Sequence, residues 1–166
     1  MEKLIWIKEI FGEKLEIIQG SEKVGSIRWN NMFSSKASAE FNGRHFSMKR
    51  DFLNSRIEIR DARMESLLAV VTVNIFSPRS DVIINGKRFE LDIKNFWQSR
   101  WSWIFNGTEI IVFTSNEFIS REKGDIELFT TCCEEVDILI LLGLFVRNQF
   151  VLLILLAVLA LLLIIL

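Results

Sequence analysis

The chain has 166 residues, 20 of them basic and 21 acidic, and half are apolar. That length suits one domain with a real core plus an appendage, and a formal net charge of -1 provides no broad positive field for nucleic acid. The two cysteines, Cys132 and Cys133, are neighbours, which excludes the disulfide framework of a small secreted domain and fits a reducing compartment.

The opening stretch MEKLIWIKEIFGEK interrupts its apolar residues with Glu2, Lys3, Lys8 and Glu9, so no leader segment is expected there. The runs KLEIIQ (14–19), RIEIRD (56–61), LLAVVTVNIF (67–76), TEIIVFTS (108–115) and DIELF (125–129) have the composition and alternation of strands. Two longer stretches repeat each other. Phe33, Ser34 and Lys36 match Phe76, Ser77 and Arg79, and Asn42-Gly43-Arg44 matches Asn85-Gly86-Lys87. Phe46 and Met48 match Phe89 and Leu91 and, after a one-residue insertion, Phe52, Ser55 and Arg56 match Phe96, Ser99 and Arg100. The match defines a duplicated unit over roughly residues 24–66 and 67–109. Each copy contains an Asn-Gly flanked by alternating residues, the strongest short hairpin signal, because a type I′ turn needs positive φ at both central positions.

About a dozen short strands are expected before residue 130, antiparallel and without the alternating helices of a parallel sheet. Two copies are too few to close a propeller. Closure into a single β-barrel removes the unpaired edges and is the expected architecture.

Thr131-Cys132-Cys133-Glu134 fits a capping box, and Glu135 and Asp137 favour the positive end of the helix that follows. From Val136 to Val146 that helix is apolar on every side except at Asp137, so protein or lipid must enclose it. A barrel of about twelve strands is too wide for its own side chains to fill, roughly eight being the number that manages it. A central hydrophobic helix over about 131–149 would fill the space.

Arg147-Asn148-Gln149 interrupts the apolar run, and an uninterrupted apolar tail follows. Its first half is Phe150, Val151, Leu152, Leu153, Ile154, Leu155, Leu156, Ala157 and Val158, and its second half is Leu159, Ala160, Leu161, Leu162, Leu163, Ile164, Ile165 and Leu166. As a helix this tail is about 25 Å long against a hydrocarbon core of about 30 Å, a shortfall met by thinning of the bilayer or snorkelling of Arg147. The expectation is a single-pass C-terminal membrane anchor with the barrel, residues 1–149, in the cytoplasm.

The duplicated β-unit with its NGRHF and NGKRF strands, the late GDIELF strand and the apolar EEVDILILLGLFVRNQF resemble the tubby C-terminal-like superfamily, in its LURP-one-related and phospholipid scramblase branch. The resemblance covers roughly residues 3–150 and implies a closed barrel around a central hydrophobic helix. It also implies proximity to lipid, although neither a phosphoinositide-contacting cluster nor a calcium loop can be matched position by position. The residues beyond Phe150 depart from the family pattern.

No catalytic constellation, metal site or cofactor loop emerges. His45, the one histidine, follows an Asn-Gly turn, and no Ser-His-Asp set can be assembled around it. Cys132 and Cys133 could be thiolates activated at a helix start, but the acidic Glu134 and Glu135 oppose this, which leaves cysteine chemistry as the one enzymatic exception. Trp97, Trp101 and Trp103 read either as core or as an interfacial belt. Arg44, Lys87 and Arg88 lie beside equivalent turns, either as solvated turn residues or as lipid-headgroup contacts at one barrel rim. The expected function is therefore a non-enzymatic adaptor or headgroup-binding module, with membrane lipid and a protein as candidate partners, or else a scramblase-like lipid-active protein.

Overall fold

The structure, a computed structural model, describes residues 2–9, 12–51, 55–73, 79–94, 99–117, 121–129 and 135–165. The first strands are β1 (Glu2–Glu9), β2 (Lys14–Gln19), β3 (Glu22–Trp29), β4 (Lys36–Phe41), β5 (Arg44–Asp51), β6 (Arg56–Asp61) and β7 (Leu67–Thr72). They are followed by β8 (Arg79–Ile84), β9 (Lys87–Ile93), β10 (Arg100–Phe105), β11 (Thr108–Thr114), β12 (Asn116–Glu117), β13 (Arg121–Leu128) and the helix α1 (Val136–Ile165). Each strand pairs antiparallel with the next as far as β11, β11 pairs with β13, and β13 returns to β1. Twelve strands thus close into a barrel, and the two-residue β12 adds only to β13. The expected closed antiparallel barrel is what forms.

Alternation drives the closure. In β4 the burial runs exposed, buried, exposed through all six residues, and β8 repeats the pattern. The duplication is visible as geometry. β4 and β8 occupy matching positions in the two copies, as do β6 and β10, and the paired residues Phe46 and Phe89, like Met48 and Leu91, are all buried. Asn42-Gly43 and Asn85-Gly86 both take positive φ, and a third Asn-Gly at 106–107 does the same. These are the backbone signs of the I′ turn. Phe52, Phe76, Ser77, Phe96 and the proposed capping residues 131–134 lie outside the described residues.

Gly124 permits the closing contact. It stands opposite Trp6 in the β1–β13 pair, and the Trp6 indole passes over it to donate to the Thr114 carbonyl, at 3.0 Å. A Cβ at 124 would lie 1.7 Å from that oxygen. On the outer wall, Arg100 donates to both oxygens of Glu109, at 3.1 and 2.8 Å, and Ser102 to one. The guanidinium beside it holds the Glu109 carboxyl at about 2.

The strands connect at two ends. The tight turns after β2, β4, β8 and β10 lie at one, called here the turn end, together with the start of α1. The last residues of β1, β5, β7, β9 and β11 and the connection 30–35 lie at the other, the exit end. At Arg147-Asn148-Gln149 the apolar run is interrupted but the helix is not. It runs unbroken for 30 residues, and the Arg147 and Gln149 side chains find partners within the protein.

Candidate functional site

The functional features converge on α1, which meets four environments along its length. Its start is clamped by the duplicated turns. Asn42 donates to Asp137 at 3.3 Å, and Arg44, stacked over Phe46, lies 4.0 Å from the same carboxylate. In the second copy Asn85 donates to Glu135 at 3.1 Å and Lys87 to both oxygens of Glu135 at 3.2 Å. Equivalent residues of the two repeats thus each hold one carboxylate at the start of the helix, Glu135 being almost wholly buried. Glu135 and Asp137 had been read only as complements to the helix dipole. The repeat supplies their partners, a pairing that local sequence does not reveal.

Next comes the buried stretch. Every residue from Ile138 to Val146 is buried. Two indoles of β10 address the helix backbone, Trp103 donating to the Leu139 carbonyl at 2.7 Å and Trp101 to the Gly143 carbonyl at 3.1 Å. The spacing suits both elements, since two residues along a strand rise about 6.6 Å and four along a helix rise about 6 Å. Trp29 stacks on Phe145 at 6.2 Å and Trp101 on Phe113 at 5.1 Å. Gly143 is where the packing is tightest, since a Cβ there would approach Phe113 to 2.6 Å and the Trp103 indole nitrogen to 3.0 Å. Of the two readings of Trp101 and Trp103, core is the one found. Trp97 lies outside the described residues.

At the exit end polar side chains contact the helix. The buried Arg147 donates to Glu122 at 2.7 Å and to Ser115 at 3.0 Å, with its guanidinium over the faces of Trp6 and Trp101, at 5.1 and 5.3 Å. Arg50 donates to the Gln149 carbonyl at 3.4 Å, and the Gln149 amide to the Ser34 carbonyl at 3.3 Å. Lys8 lies over Trp29 at 5.7 Å. Burial holds its ammonium below the ordinary value, opposed by Glu122 and reinforced by Arg147. Arg147 is therefore enclosed by protein and counter-charge, whereas the sequence had offered it as a snorkelling residue.

Beyond these contacts the helix becomes exposed. Phe150 and Leu152 remain buried against the barrel, Val151, Leu153 and Ile154 are half-buried, and Leu155 to Ile165 are exposed. Exposure reaches about 80 % at Ile164 and Ile165. Of the tail residues 150–166 picked out from the sequence, the eleven from 155 to 165 stand clear of the barrel, and Leu166 lies outside the described residues. Among the described residues α1 is the one helix long and apolar enough to cross a membrane.

The remaining candidates are dispersed. Arg44, Lys87 and Arg88 share the turn end, but the first two serve the helix clamp and Arg88 pairs with Asp81 on the outer wall at 2.5 Å. His45 is exposed on β5, and Cys132 and Cys133 lie outside the described residues. Among the described residues no three His, Cys, Asp or Glu side chains gather as metal ligands. An open groove of about 930 Å³ runs between β7 and β8, which pair at only two positions, and is lined by Leu67, Ile83, Arg56, Arg79 and Arg88 among others. No family model, curated protein or solved structure matches the chain.

Proposed function

We propose that this chain is a non-enzymatic, membrane-anchored β-barrel module in which one helix does two jobs, its first half filling the barrel and its second half entering the bilayer. The supports for the first job are the uniform burial of Ile138–Val146, the indole bonds from β10, and polar contacts to the turn end at Asp137 and to the exit end at Arg147 and Gln149. A helix touching both ends of a closed barrel while buried on all sides fits the interior. The same features favour the proposed tubby-like relationship.

The observation that carries the second job is the exposed stretch Leu155–Ile165, without a single polar side chain. Each leucine or isoleucine left in water forgoes about 1.5–3 kcal/mol of burial energy, and an apolar helix without a polar face calls for lipid. The barrel then stands on one side of the membrane, with the cytoplasm proposed for it because two adjacent cysteines suit a reducing compartment. Anchoring through the exit end turns Arg44, Lys87 and Arg88 away from the membrane. This sets an adaptor role, with the barrel wall and turn end presented to a protein partner, ahead of headgroup binding by those three cations.

Truncation after Ile154 tests the anchor, because it spares Phe150 and Leu152, which pack on the barrel. The full chain is expected in the carbonate-washed membrane pellet and the truncated chain in the supernatant. Retention of the truncated, folded chain in the pellet would sink the anchor.

A further inference from the structure

The barrel wall opens between β7 and β8, and comparison of the two repeats shows why. In the first copy β3 and β4 stay paired through Arg28 with Ser38, Ile27 with Ala39, Ser26 with Glu40 and Gly25 with Phe41. In the second copy β7 and β8 take the same places, Thr72 with Asp81 and Val71 with Val82 matching the first two of these pairs. There the ladder stops. The pairs that would follow, Val70 with Ile83 and Ala69 with Ile84, do not form. Gly25 accounts for the difference, because a Cβ on it would lie 2.4 Å from the Phe41 ring and 2.9 Å from the Glu40 carbonyl oxygen. Ala69 stands at the corresponding place and brings the Cβ that hinders such an approach. Leu67, Ala69 and Val70 therefore pair only with β6, and Ile83 and Ile84 only with β9. Both strands turn an open edge toward the groove of about 930 Å³.

We propose that this groove takes an extended segment of a protein partner, alternating apolar and acidic residues, which adds to the open edge as a further strand. The inference rests on the adaptor reading above and supplies the class of partner. An open strand edge is a template for another extended chain, whose backbone gives affinity while its alternate side chains give specificity. Apolar side chains suit the surface offered by Leu67 and Ile83, which are 47 % and 65 % exposed, with Leu68 and Val70 beside them. Carboxylates suit the charge of the lining, where the guanidiniums of Arg56, Arg79 and Arg88 outnumber the carboxylates of Asp81 and Glu90. The groove lies on the side wall of the barrel, so a chain anchored through α1 keeps it open to a soluble partner.

The test uses the full chain in detergent micelles with two fluorescein-labelled peptides of about six residues, one alternating valine with glutamate and the other valine with lysine. The glutamate peptide is expected to bind at least about tenfold more tightly than the lysine peptide, and Arg56→Glu, a change at an exposed site, to weaken it by about tenfold. Hydrogen exchange read by mass spectrometry is expected to slow on binding at Leu67–Val70 and Ile83–Ile84. Equal binding of the two peptides, no saturable binding of either, or slowing confined to other parts of the barrel would overturn the groove. Slowing at the same amides that grows with protein concentration in the absence of peptide would identify a second copy of this chain as the occupant and likewise overturn the inference. The anchor beneath the adaptor reading is read separately, by the truncation after Ile154.

Discussion

Replacing Arg147 by methionine is expected to destabilise the full chain by about 3 kcal/mol or more, measured by denaturant unfolding in detergent micelles. Methionine is a good helix former and keeps most of the volume, so neither propensity nor a cavity supplies the loss. The loss comes from Glu122, a buried carboxylate whose closest counter-charge is the Arg147 guanidinium at 2.7 Å, and from the two indole faces that the guanidinium covers. Lys8 offers partial compensation, which puts the expectation at the lower end of the range for broken buried pairs. Glu122→Gln should cost a similar amount, and the double variant less than the two losses added, because each single change strands the other's charge. A loss below about 1 kcal/mol for Arg147→Met would mark the pair as no stronger than a surface one.

Gly143→Leu gives an effect whose sign is diagnostic. In a helix surrounded by lipid or water the change removes a glycine and should stabilise by up to about 1 kcal/mol. Packed as observed, the new side chain collides with Phe113 and with the Trp103 indole that donates to Leu139, so a loss of about 3 kcal/mol is expected. Unfolding monitored by tryptophan fluorescence reads the change directly, since Trp101 and Trp103 both bond this segment.

Strands whose alternation is self-contained were legible from the residues alone. KLEIIQ and RIEIRD are strands over the residues named, and the Asn-Gly pairs form the turns that their φ preferences require. The first half of β13 was not legible, because Arg121, Glu122 and Lys123 give it the composition of a solvated loop. Glu122 is nevertheless buried, and its partner stands 25 residues away on the helix. The burial of Arg147 and Gln149 was illegible for the same reason. Arg147 and Gln149 interrupt the apolar run when read locally, yet their partners are Glu122, Ser115 and Ser34, which only the closed barrel brings near. Arg44 and Lys87 were picked out because their turns are equivalent. The equivalence is real, but its use within the described residues is to hold Asp137 and Glu135.

The central claim is that α1 is divided between protein and lipid, with the division near Leu152. Photolabelling by an apolar diazirine dissolved in vesicles, mapped residue by residue by mass spectrometry on the full chain, tests it without altering the sequence. Adducts are expected along Leu155–Ile165 and absent from Ile138–Val146. Equal labelling of both halves, or labelling of neither, would contradict the account.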